Sequence, residues 1–158
     1  MQATIERKPK IRTLTSYEVP QANDLQKIIA VVEAKARGEF VDDDFFKSTT
    51  RTVQYYLHAA ALLGLLNADK TINSRGMEIM HMKPDHKLYS LYFAFLGSEC
   101  GLAFDEWSKG KVHFFDLDGA TARRFLKDVS IGLKEATINR RAASLLIWAA
   151  TFRTAIRG

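Results

Sequence analysis

Four side chains in the stretch TTRTVQYYLHAAALLGLL, residues 49–66, have the chemistry to read a polyanion: Arg51, Gln54, Tyr55 and His58. An arginine fork pairs with guanine edges and a glutamine amide with adenine edges, while tyrosine and histidine reach phosphates or stack. Projected at about 100° per residue, the four fall on one side of a helix, and Val53, Leu57, Ala60 and Gly64 fall on the other. Tyr56 turns toward the packed side. The small residues Ala59–Ala61 let neighbouring helices approach closely, as a compact trihelical core requires. Lys47, Thr49 and Thr50 stand at the entrance of this helix and complete the first candidate set; Ser48, Thr49 or Thr50 is its cap.

A second set lies in ATINRRAASLLIWAATF, residues 136–152. Here Ile138, Ala142, Leu145, Leu146 and Ala149 make the apolar face, and Thr137, Arg140, Arg141 and Ser144 line the other, with Lys134 and Asn139 beside them. From Gly119 onward the chain carries a net charge of +6, more than the +5 of the whole sequence. Such a segment suits phosphate contact, although arginine pairs are also common on ordinary helix surfaces. Lys70, Asn73 and Arg75 form a third set, on a polar turn that either runs beside a groove or is a plain hairpin.

These sets need elements to position them. Residues 1–23 alternate charged and apolar side chains without helical period; Arg7, Lys8, Lys10 and Arg12 make them a basic arm, extended because Pro9 and Pro20 resist helix. The arm either lies along phosphates or is a tail with solvated charges. Asn23 or Asp24 caps a helix over DLQKIIAVVEAKARG that stops at Gly38. The Asp42–Asp44 run suits the positive end of a brief second helix better than a metal, because three consecutive carboxylates point in different directions. The third helix runs to Gly64, and LLNADKTINSRG then predicts two short strands around a turn at Asn67–Lys70. Ser74 caps RGMEIMHM. After Pro84 follow an aromatic-rich helical region, a short strand in KVHFFDLDG and two more helices.

The order helix, short helix, longer helix, hairpin is that of a winged helix-turn-helix. The expected fold is therefore mainly α with small β-hairpin wings, in two tandem winged-helix-like units. The arm covers residues 1–23, the first unit 24–85, and the second, more degenerate unit 86–158.

The first set and its hairpin resemble winged-helix modules of prokaryotic restriction-modification and related defence proteins. Those modules carry a helix of the type R-Q-x-x-Y-Y-x-x-A-x-x-L-G-L before a wing ending L-T-x-x-G. Arg51, Tyr55, Tyr56, Ala59 or Ala60, Leu63, Gly64 and Leu65 match the first part, and Thr71 and Gly76 match the second loosely. Thr137, Arg140, Arg141, Leu145 and Trp148 fit a T-x-x-R-R-x-x-x-L-x-x-W helix of the same modules. The resemblance spans about residues 25–158 through short motifs, and it implies DNA binding.

One motif points to catalysis. VHFFDLDGAT resembles the first motif of haloacid dehalogenase-type phosphatases, in which Asp116 would be the nucleophile and Asp118 its acid–base partner. Only 40 residues follow Asp118, they carry helical patterns, and Ala120 stands where that family has Thr. A turn with a helix-capping aspartate accounts for these residues better. No P-loop or G-x-G-x-x-G occurs, and the four histidines show no ligand spacing.

Composition sets the class. A hydrophobic fraction of 47% and a charged fraction of 26% belong to a folded chain, and a pI near 9.4 fits a polyanionic partner. The single cysteine, Cys100, forms no internal disulfide and reads as a buried small apolar residue. No secretory signal and no membrane span is visible, so the expected compartment is the cytoplasm. The expected function is double-stranded DNA binding without catalysis of its own and without cofactor or metal. The chain would be a recognition domain or subunit of a restriction-type endonuclease, or a small DNA-binding regulator, alone, as a homodimer or with a larger nuclease partner. The alternative is a protein-interaction module whose aromatic run LYSLYFAFLG forms a dimer or partner face.

Overall fold

A computed structural model describes residues 12–157, in which eight α-helices and two short 3-10 turns are connected without any β-strand. In chain order the helices are α1 (Leu25–Ala36), α2 (Asp43–Phe46), α3 (Thr50–Leu62), α4 (Ser74–Met80), α5 (Pro84–Leu96), α6 (Glu99–Ser108), α7 (Gly119–Val129) and α8 (Glu135–Arg157). Most begin at a polar cap. Asp24 accepts the amides of Gln26 and Lys27, Asp42 that of Asp44, Thr49 that of Thr52, Ser98 that of Gly101 and Asp118 that of Thr121. The Asp42–Asp44 run and Asp118 thus act as the caps their positions predicted. Gly38 and Gly64, at φ +75° each, end α1 and α3 in the left-handed conformation that glycine adopts without strain.

Helix α1 packs on α3 and α4, and α8 packs on α5, α7 and the 3-10 turn Phe114–Asp116. In the first group Ile28, Val32, Val53, Leu57, Ala60 and Ile79 are buried. In the second, five aromatic rings (Phe95, Phe114, Phe125, Trp148 and Phe152) are almost wholly enclosed. Phe95 stacks obliquely on Phe114 at 4.2 Å and meets Trp148 edge-on at 5.7 Å. One continuous buried cluster runs through both groups, and Lys87 of α5 pairs with Glu33 of α1 across them at 2.5 Å. Cys100 is fully enclosed, and burial pushes its thiol pKa up.

The β-hairpin wings do not form. Of the two strands expected around Asn67–Lys70, only one antiparallel residue pair remains, Leu66 with Ile72. The turn is there: the Asn67 amide donates to the Thr71 carbonyl at 2.8 Å, and the Asp69 carboxylate accepts from the Thr71 amide and hydroxyl. No length is left for strands, because α3 ends just before the turn and Asn73 immediately caps α4. The cap is Asn73, not Ser74. The strand expected in residues 111–119 is also missing. Phe114 and Leu117 are buried three residues apart while His113 and Asp116 face out, which is the spacing of a 3-10 turn rather than of a strand. The architecture is mainly α, without wings in either half.

Residues 12–23 are packed rather than free. Leu14 pairs with Ser130 in parallel fashion, its amide donating to the Val129 carbonyl at 2.8 Å and its carbonyl accepting from Ile131 at 2.9 Å. Leu14 and Val19 are fully buried, and Arg12 pairs with Glu99 and Glu106 of α6. Arg7, Lys8 and Lys10 of the expected basic arm lie outside the described residues.

Candidate nucleic-acid interface

The strap formed by residues 14–24 is what brings the first two candidate sets together. From one side α8 grips it with three side chains spaced along a single stripe. The Arg141 guanidinium donates through Nη1 to the carbonyls of Ser16 (2.7 Å) and Val19 (2.8 Å), and the Trp148 indole donates to the Ala22 carbonyl (2.7 Å). Between them the Ser144 hydroxyl donates to Asn23 Oδ1 (2.5 Å). From the other side α3 holds the strap through Tyr56, whose hydroxyl accepts the Asp24 amide, and through His58, whose Nε2 lies 2.5 Å from the Tyr17 carbonyl. Arg141 is 8% exposed and Ser144 5%. The expectation that both stand on the open face of their helix is therefore corrected, since the strap covers that face.

Above the strap lies an open cleft of about 530 Å³, lined by Arg51 and Tyr55 from α3, by Thr137, Arg140, Arg141, Ala143 and Ser144 from α8, and by Leu133, Ser16, Gln21 and Asn23. Arg51, Tyr55, Thr137, Arg140, Arg141 and Ser144 were expected from sequence as parts of two surfaces; they share one. Arg51 lies over the Tyr55 ring, 5.5 Å from its centroid, and its Nε donates to the Tyr55 hydroxyl. Arg140 stays exposed, with one guanidinium nitrogen 3.4 Å from the Thr137 hydroxyl. None of these three arginines is ion-paired among the described residues, and no described carboxylate lines the cleft. Burial lowers the Arg141 pKa, and the neighbouring Arg140 charge acts in the same direction, so the charged form is held at a cost.

The other candidates scatter. Gln54 is exposed on α3. Lys47, Thr49 and Thr50 sit at the α2–α3 corner, where Thr49 caps α3 and the Thr50 hydroxyl donates to Asp43 at 2.7 Å. Three aspartates crowd that corner, which makes it a poorer place for phosphate than the cleft. Lys134 and Asn139 are exposed near the start of α8. His58 is spent on the strap. Lys70, at φ +70°, donates to the Ala68 carbonyl; Asn73 accepts the Gly76 amide and donates to the Gly64 carbonyl. Arg75 reaches over Gly64 toward a depression between α4 and α5. The third set therefore does not join the cleft; Lys70 instead shares a separate depression with His58, beside Glu18 and Glu99.

Sequence reasoning missed Ser16, Gln21 and Asn23. Their signal was the burial-prone trio Leu14, Val19 and Ala22 interleaved with them, inside a segment that lacks helical period. The motif aspartates separate in the same way: Asp118 caps α7, and Asp116 pairs at 3.2 Å with Arg157, whose guanidinium also covers the Phe115 ring. Among the described residues no helix is long and apolar enough to cross a membrane. No family model matches the chain, and neither a curated protein nor a solved structure matches it significantly.

Proposed function

We propose that the chain binds double-stranded DNA through the cleft between α3 and α8, as the recognition domain or subunit of a restriction-type endonuclease or as a small regulator. One observation carries this reading: Arg51, Arg140 and Arg141, from helices far apart in sequence, line one open cleft that no carboxylate lines among the described residues. Unneutralised guanidiniums at a common site favour phosphate, which they bind in bidentate fashion. The exposed start of α3 presents Arg51 and Gln54, and helix-turn-helix proteins read base edges from that part of a helix. This use of α3 does not depend on a wing. Fluorescence anisotropy with labelled duplex tests the proposal: Arg51→Ala and Arg140→Ala should each weaken binding several-fold with helical content unchanged, and unchanged affinity in both would exclude the cleft.

A second reading, a protein-interaction module, draws on Phe93. It is 65% exposed on α5 beside the depression lined by Leu65, Ile79 and Met82. A concentration-dependent dimer that Phe93→Glu abolishes, with no duplex bound at low salt, would favour it.

A further inference from the structure

We propose that the inner end of the α3–α8 cleft is a pocket for a terminal phosphate monoester, the dianionic group at a strand end or on a free nucleotide. This rests on the reading of the same cleft as a nucleic-acid site and states which phosphate it selects.

The starting point is Arg141. The residue is 8% exposed, and among the described residues its side-chain hydrogen-bond partners are the two neutral carbonyls of Ser16 and Val19, both reached through Nη1. Carbonyls fix the plane of a guanidinium but leave its charge uncompensated. A buried cation in that position is costly without a counter-ion. No buried side-chain nitrogen or oxygen among the described residues lacks a hydrogen-bond partner, and Arg141 is one of the residues that line the cleft. The strap thus fixes Nη1 of a guanidinium that stands at the wall of an open cleft.

Around that group the described residues of the pocket supply more positive charge and neutral polar groups. Arg140 and Arg51 bring two further guanidiniums, while Thr137, Gln21 and Asn23 bring hydroxyl and amide groups. An internal phosphodiester carries one negative charge and two ester substituents that must both leave the site. A monoester carries up to two charges at neutral pH and has a single substituent, so it can enter a pocket end-on. Three guanidiniums at one place match the second better than the first. Tyr55, already stacked against Arg51, offers a ring on which the adjoining nucleoside can rest. A volume of about 530 Å³ lies within the range of small-ligand sites.

The experiment compares the full chain's affinity for one duplex carrying a 5′-phosphate, a 3′-phosphate or hydroxyls at both ends, with thymidine 5′-monophosphate and thymidine as competitors. The expected result is that one phosphorylated duplex binds at least about ten-fold tighter than the hydroxyl-ended one. The monophosphate should compete where thymidine does not. Arg140→Gln and Arg51→Gln, both outside the packed core, should each remove most of that preference without lowering stability. Arg141→Lys serves as a second probe, because it keeps the charge but cannot hold the strap carbonyls and a phosphate at once. Equal affinity for all three duplexes with no competition by the monophosphate would overturn the terminal-phosphate proposal and leave duplex binding standing. Monophosphate binding that Arg140→Gln abolishes, with no duplex bound at any salt, would uphold the pocket for a free nucleotide and overturn the DNA reading.

Discussion

Helices α3 and α8 carry arginine-bearing polar faces of similar composition, yet they use them in opposite ways. On α3 the polar side stays largely open: Arg51 and Gln54 are exposed, Arg51 bonds within its own helix to Tyr55, and His58 reaches the strap at the Tyr17 carbonyl. On α8 two of the four polar residues are buried under the strap, and their hydrogen bonds go to its backbone and to Asn23. The same residue type is therefore solvated at Arg51 and Arg140 and a structural clamp at Arg141. What separates them is not the helix but the segment that lies over it.

That contrast can be broken by mutation. The largest effect is expected at the clamp's apolar end: Trp148→Ala should cost about 3–5 kcal/mol in urea unfolding, because it opens a cavity in the aromatic cluster and frees the Ala22 carbonyl. Arg141→Ala should follow with about 2–3 kcal/mol, the scale of charge-assisted bonds to one buried and one part-buried carbonyl. Its sequence neighbour Arg140→Ala should change stability by less than about 0.5 kcal/mol. Equal losses at positions 140 and 141 would erase the distinction between the solvated arginine and the clamp.

How much of this was legible follows from where each covering element sits in the chain. The α3 projection placed Val53, Tyr56, Leu57 and Ala60 on the packed side, where they are buried, because that face packs on α1 just upstream; Gly64 instead lies beyond the helix end, and His58 bonds to the strap. The α8 projection gave the apolar side correctly but left Arg141 and Ser144 open. Their cover comes from residues 16–23 at the far end of the sequence, and an irregular extended segment has no period to find. The wings failed for a different reason. Turn chemistry at Asn67–Thr71 was readable, but strand length was cut by a cap at Asn73 that serves α4. Phe114 and Leu117 looked like strand residues because a 3-10 turn buries them at a spacing too short to reveal a period.

Two smaller effects sharpen the comparison from the α3 side. Gln54→Ala should leave stability within about 0.5 kcal/mol of the parent while weakening binding to a preferred duplex by about 1–3 kcal/mol, as for a lost base contact. Selection from a random duplex library followed by anisotropy measures both site and loss. Asp43→Asn, which removes a charge at the α2–α3 corner but retains an acceptor for Thr50, should tighten duplex binding by about two-fold at low salt.

The central claim is that one cleft, built from α3, α8 and the strap, meets the phosphates. Its most direct test is the salt dependence of duplex affinity for the parent chain and for Arg51→Ala combined with Arg140→Ala. Each lost phosphate contact lowers the steepness of log K against log salt by about 0.9, so the double variant should be shallower by nearly two and weaker at every salt concentration. Parallel lines of equal affinity would contradict the assignment of the cleft.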